Sequence, residues 1–125
     1  MAVTRSAFDY AVLRAVPRAE RGECVNVGVV LFCKAHDFLA AGVHLDEARL
    51  RALDPGADVA GVRGALEALQ RTCAGEGPAG QTSLGQRFRW IVAPRSTVLR
   101  AGRAHSGLTA DPGAELERLL GALVR

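Results

Sequence analysis

The sequence predicts an α+β domain: a mainly antiparallel sheet, built as a three-strand meander plus a later hairpin, with about three helices packed on one face. Three observations predict it. Strand-like alternation fills the first third of the chain, capped helical stripes follow in the middle and at the end, and strands and helices come in runs instead of alternating as βαβ units. At 125 residues the chain is read as one domain, residues 1–125, long enough to bury a core without disulfides or a structural metal.

The first strand is residues 8–16, where Tyr10, Val12, Arg14 and Val16 alternate with Ala11, Leu13 and Ala15 until Pro17 ends the pattern. The turn that follows is too short for a parallel return and favours an antiparallel partner. That partner is the longest β-branched run, Cys24-Val25-Asn26-Val27-Gly28-Val29-Val30-Leu31-Phe32, read as the central strand. Strict alternation puts Val25, Val27, Val29 and Leu31 on a core face. It leaves Asn26 and Gly28 on the other, where a missing side chain invites close approach by a bulky neighbour, a ligand or a partner. After a turn at residues 34–37, residues 38–43 form the third strand.

Asp46 caps a first helix, with Leu45 and Leu50 placed as a hydrophobic staple, and Asp54-Pro55-Gly56 stops it. A second helix begins near Asp58 and carries Val59, Val62, Leu66, Leu69 and Cys73 as one stripe. Residues 74–85, rich in glycine and without periodicity, are expected to be a flexible loop. Phe88, Trp90 and Val92 alternate with Arg87, Arg89 and Ile91, which predicts a fourth strand ended by Pro94, with Phe88 and Trp90 facing the core. A fifth, residues 97–100, is expected to pair back on it, and residues 101–110 to be loop. Asp111 and Pro112 then open a final helix with a stripe of Leu116, Leu119, Leu120 and Leu123.

Composition narrows the function classes. Hydrophobic residues make up 49% of the chain, but no run approaches the ~20 residues that cross a bilayer, so no membrane association is expected. The start of the chain lacks the apolar stretch of a secretory signal, and a cytoplasmic location is expected. The three cysteines, Cys24, Cys33 and Cys73, have unrelated spacings and are expected to be free thiols, mostly buried. A net charge of +3 is modest and scattered, with Lys34 the only lysine. Arg87-Phe88-Arg89-Trp90 interleaves cations with aromatics, but on a strand the aromatics and the charges would face opposite ways, which argues against nucleic acid. Cys33, His36 and Asp37 fall short of a ligand set, so neither metal nor cofactor is expected. The glycines of residues 75–80 lack the lysine and hydroxyl ending of a phosphate loop.

The residues left for a site are Glu23, Asn26, Arg89, Arg95, Ser96, Thr97 and His105, which stand at strand ends or in turns, where a rigid scaffold displays functional groups. Arg89 and Arg95 have the forked geometry that grips a carboxylate or phosphate, Ser96 and Thr97 can donate hydrogen bonds, and His105 can serve as a general base. Arg95 and His105 are expected to share an anion-binding locus. No nucleophile, base and orienting group stand at a diagnostic spacing, so catalysis is not assigned.

The segment from Tyr10 to Pro17, the run Arg21-Gly22-Glu23 through Val25-Asn26-Val27-Gly28-Val29, Phe88-Arg89-Trp90 with Ala93-Pro94-Arg95-Ser96, and His105, Gly107-Leu108-Thr109 and Asp111-Pro112 together resemble a bacterial domain-of-unknown-function family, number 3037. The resemblance spans nearly the whole chain. It implies a shared fold and a shared polar surface, with no reaction chemistry. Through an association of its genes with those of HipA-like kinases, it also implies a protein partner of that kind. The expected function is a small non-enzymatic accessory protein acting with a protein partner; the alternative is an enzyme or sensor for a phosphate- or carboxylate-bearing small molecule. A partner protein needs a broad exposed patch, and a small molecule needs a concave pocket with converging polar groups.

Overall fold

β1 (Ser6–Ala15) is the strand to which most of the sheet is attached. It pairs antiparallel along one edge with β2 (Val25–Cys33), and β2 pairs antiparallel with β3 (Phe38–Val43), so the expected meander is present. The structure, a computed structural model, describes residues 4–95 and 97–125. On the other edge of β1 two short strands lie end to end: β4 (Leu99–Ala101) on its C-terminal half and β5 (His105–Thr109) on its N-terminal half. The result is α+β, with five antiparallel strands and four α-helices among the described residues: α1 (Glu47–Leu53), α2 (Val59–Cys73), α3 (Leu84–Val92) and α4 (Pro112–Leu123).

The later hairpin is not formed. Residues 87–92, expected as a strand, belong to α3, so the strand at residues 99–101 has no such neighbour and pairs with β1 instead. Residues 105–109, expected within a loop, are β5. The strand carries few of the apolar residues that mark one in sequence, because it is an edge strand whose residues are mostly exposed.

Three helices stand on one face and the fourth on the other. On the first face Leu50, Val59, Val62, Leu66, Cys73, Phe88 and Ile91, from α1, α2 and α3, close over Ala11, Leu13, Ala15, Val27 and Val30. On the second face Leu119 and Leu120 of α4, with Val124, close over Phe8, Val29, Leu31 and Cys33. Each large apolar side chain buried in this way contributes about 1.5–3 kcal/mol. α4, expected beside the other helices, is thus the cover of a second core.

One irregularity changes which positions of β2 face which core. Leu13 is opposite Gly28 and Arg14 is opposite Asn26, which leaves Val27 as an extra residue, a β-bulge. Val27 lies in the first core, and a β-carbon on Gly28 would point at Leu13 and Val43, also in the first core. Two consecutive residues therefore face the same way. Val25 and Val27 belong with the first core and Val29 and Leu31 with the second, so the single core face expected for all four is corrected.

The helix starts follow from their caps: the carboxylates of Asp46, Asp58 and Asp111 accept from the amides of Arg49, Gly61 and Ala114. No helix among the described residues is long and apolar enough to cross a membrane. Cys33 and Cys73 are buried free thiols, whereas Cys24, expected with them, is exposed just ahead of β2. Burial pushes the Cys73 thiol up to about 11, with the nearby Arg87 guanidinium pulling the other way.

Candidate functional site

α3 decides the chemistry of the surface. Ser83 accepts from the Gln86 amide while the Gln86 side chain accepts from the Ser83 amide, a reciprocal capping box that starts the helix. Phe88 and Ile91, three residues apart, then share the buried face. Trp90 lies about 200° around the helix from Phe88 and is turned outward, 59% exposed. This corrects the expectation that Phe88 and Trp90 face the core together.

The loop before α3 is pinned by Arg87. Its Nε donates to the Ala79 carbonyl at 2.8 Å, Nη2 to the Thr82 carbonyl at 3.0 Å and Nη1 to the Cys73 carbonyl at 3.4 Å. One guanidinium thus ties the end of α2, the 3₁₀ turn at Gly77–Gln81 and the start of α3 together. Charge-assisted bonds of this kind are the stronger class of hydrogen bond, and they give shape to a segment expected to be flexible.

Trp90 stands as a ridge between two clefts. The first, about 270 Å³, lies between α2, α3, Arg95 and residues 97–101, with Ala65 and Ala68 of α2 among its lining. The second, about 560 Å³, lies between α2, α3 and the pinned turn, with Pro78 and Ala79 on its wall. Thr72 and Trp90 line both. The Arg95 guanidinium sits over the indole, 4.1 Å from the ring centroid, and also donates to the Trp90 carbonyl. The contact combines cation–π attraction with a fixed position for the charge. Val98, at 38% exposed, extends the apolar surface along the first cleft.

A family model described as Protein of unknown function (DUF3037) matches residues 10–124. The chain belongs to this family. No curated protein and no solved structure matches it.

In this DUF3037 member the expected site residues are dispersed. Arg95 and Thr97 come together in the first cleft, where the Thr97 hydroxyl donates to the Leu99 carbonyl at 2.7 Å and the Thr97 carbonyl accepts from Arg100. Arg89 lines a different cleft, on the side of α3 that faces the β2–β3 turn. Asn26 donates from Nδ2 to the Leu123 carbonyl at 3.0 Å and so clamps the end of α4. Glu23 pairs with Arg21 in the exposed turn, and the hydrogen bond from that arginine holds its carboxyl below the usual range. His105 pairs across the sheet with Tyr10, its ring 5.4 Å from the phenol ring, on the face covered by α4. Ser96 lies outside the described residues.

Arg95 and His105 are therefore on opposite faces of the sheet, and the expected shared anion locus is not assembled. The first cleft is walled by the core residues Leu13 and Ile91, while Tyr10, beside His105, packs into the second core. Among the described residues no three His, Cys, Asp or Glu side chains gather as a metal site. Sequence reasoning missed Trp90 as a surface residue and Arg87 as the loop's anchor. The signals were present in Ser83 and Gln86 at capping-box spacing and in Leu84, Phe88 and Ile91 at helical spacing.

Proposed function

We propose that this protein is a small binding module that acts in the cytoplasm with a protein partner and uses the Trp90 ridge as its contact. The observation that carries the reading is an indole more than half exposed between two clefts, with a guanidinium fixed on it. Tryptophan and arginine dominate the energetics of protein interfaces, and a residue already held in its bound position loses less entropy on docking. Val98 and the alanines of α2 give a partner apolar surface beside the ridge. The three unpaired cysteines support a reducing compartment. A HipA-like kinase is the first partner to try, since the family resemblance points there.

Trp90 is the only tryptophan in the chain, so its emission reports occupancy of the ridge directly. Proteins captured on the immobilised chain from its source cell, and a HipA-like kinase where the genome encodes one, are purified and titrated back. A true partner shifts the emission to the blue, and Trp90→Ala weakens binding by about thirtyfold or more, the loss typical of a central anchor. The melting temperature of that variant stays near wild type because the indole is outside the core. Equal affinity of Trp90→Ala for every protein that the wild type binds overturns the reading.

A further inference from the structure

The cleft on the far side of α3 from Trp90 is built differently. It holds about 790 Å³ between the β2–β3 turn and the first turns of α3, and it is lined by Lys34 and Asp37 from the turn, Phe32 at the end of β2, and Ser83, Arg87 and Arg89. Three cations thus face one concavity that holds a single carboxylate. Among the described residues seven arginines are paired with Asp or Glu. Lys34 and Arg89 are not among them, and Asp37 is in no ion pair among the described residues.

The local structure leaves those two cations free for a ligand. Arg87 commits three of its five N–H donors to the carbonyls of Cys73, Ala79 and Thr82, which holds its charge in place beside the cleft. Ser83 and Gln86 satisfy each other, which leaves the helix cap no role in the site. Arg89 folds back along α3 over Gly85, its Nη1 3.4 Å from where a β-carbon of that glycine would stand. The Phe32 ring is 3.5 Å from the same point and stacks on Phe88 behind it. Asp37 holds the left-handed conformation that ends the turn, with φ 50°, and this fixes where the turn presents Lys34. The cleft therefore offers a guanidinium fork, an ammonium and an aromatic wall within one concavity.

We propose that this cleft binds a phosphate monoester, with Arg89 and Lys34 on the phosphoryl oxygens and Phe32 against the organic group. A dianion matches two unpaired cations, and the guanidinium suits the paired oxygens of a phosphate. Trp90 does not line this cleft, although Thr82 and Arg87 line both it and the second cleft beside the ridge.

The test is calorimetric titration of the full chain with phenyl phosphate and with inorganic phosphate, backed by amide shift mapping. Phenyl phosphate is expected to bind more tightly than inorganic phosphate and to shift the amides around Lys34 and Gly85. Lys34→Gln and Arg89→Gln are each expected to weaken binding about tenfold, the loss of one charge-assisted contact. Arg103→Gln, which removes an exposed cation outside the cleft, is expected to leave the affinity unchanged. Absence of binding, binding indifferent to both cleft substitutions, or equal weakening by Arg103→Gln overturns the proposal, the last by showing attraction to net charge alone. Equal affinity for the two phosphates removes the Phe32 contact and with it the monoester assignment.

Discussion

Gly28 has no space for a side chain. A β-carbon there would stand 2.7 Å from the Gly42 carbonyl oxygen and 3.2 Å from Leu13 Cδ1. The first of these neighbours is backbone of β3, paired with β2, and cannot turn away. Gly28→Val is therefore expected to destabilise the fold by about 1–3 kcal/mol, as overpacking does, despite the preference of valine for strands. Thermal melting checks it: a fall of roughly 5–10 °C is expected, and a variant that melts at or above wild type shows that the strands can part to admit the methyls. The gap on β2 was legible in sequence as a glycine among β-branched residues. Its occupant was not, because the strand that fills the gap is fixed by long-range pairing, and a ligand or a partner fitted the same observation. Asn26 shows the same limit, since its hydrogen-bond acceptor is ninety-seven residues away.

Among the elements, α2 and α4 were legible because each joins an aspartate cap to an apolar stripe, and α1 because its aspartate cap comes with the staple of Leu45 and Leu50, two independent signals that agree in each case. α3 was not, since residues 87–92 fit a period of two as well as a helical one. The short helix has a hydroxyl cap instead of a carboxylate. That cap has work to do in so short an element. Ser83→Ala removes the acceptor for the Gln86 amide and is expected to cost about 1 kcal/mol. Urea unfolding of Ser83→Ala beside Ser83→Asp gives the check: the aspartate is expected to hold wild-type stability, and equal loss in both would mean that the hydroxyl acts in some way other than capping. The first cleft escaped sequence reasoning for a related reason. Its walls come from α2, α3 and the segment leading into β4, and only the helical assignment of α3 turns Trp90 outward to divide it from the second.

At the scale of the molecule, the α+β class and the antiparallel meander followed from runs of one period and then another. The sharing of helices between two faces did not, because an apolar stripe does not say which side of a sheet it covers. The division can be probed through the thiols. Cys33 is buried in the second core and Cys73 in the first, while Cys24 is exposed. Cys24 is expected to react at once with a thiol reagent near pH 8. Cys33 and Cys73 are expected to follow slowly at a common rate, because β2 contributes to both cores and neither opens while the strand stays paired. Labelling followed by mass spectrometry of the modified peptides distinguishes the cases, and faster modification of Cys33 would show that α4 comes away alone.

The bulge at Val27 and Gly28 acts on that shared strand as a parity switch. Upstream of it odd positions serve the three-helix side, and downstream even positions do. Deleting Val27 would restore a regular ladder with Asn26 still opposite Arg14, whereas straightening the strand with the residue kept would reverse the facing of everything between it and the preceding turn. Asn26 would then be carried into the apolar core, and the end of α4 would lose its clamp. A relative without the extra residue therefore keeps the amide-to-carbonyl tie with the start of its strand in the same phase, and one that has the residue keeps the tie only by keeping the bulge. Inherited change at this one position is coupled to the far end of the chain.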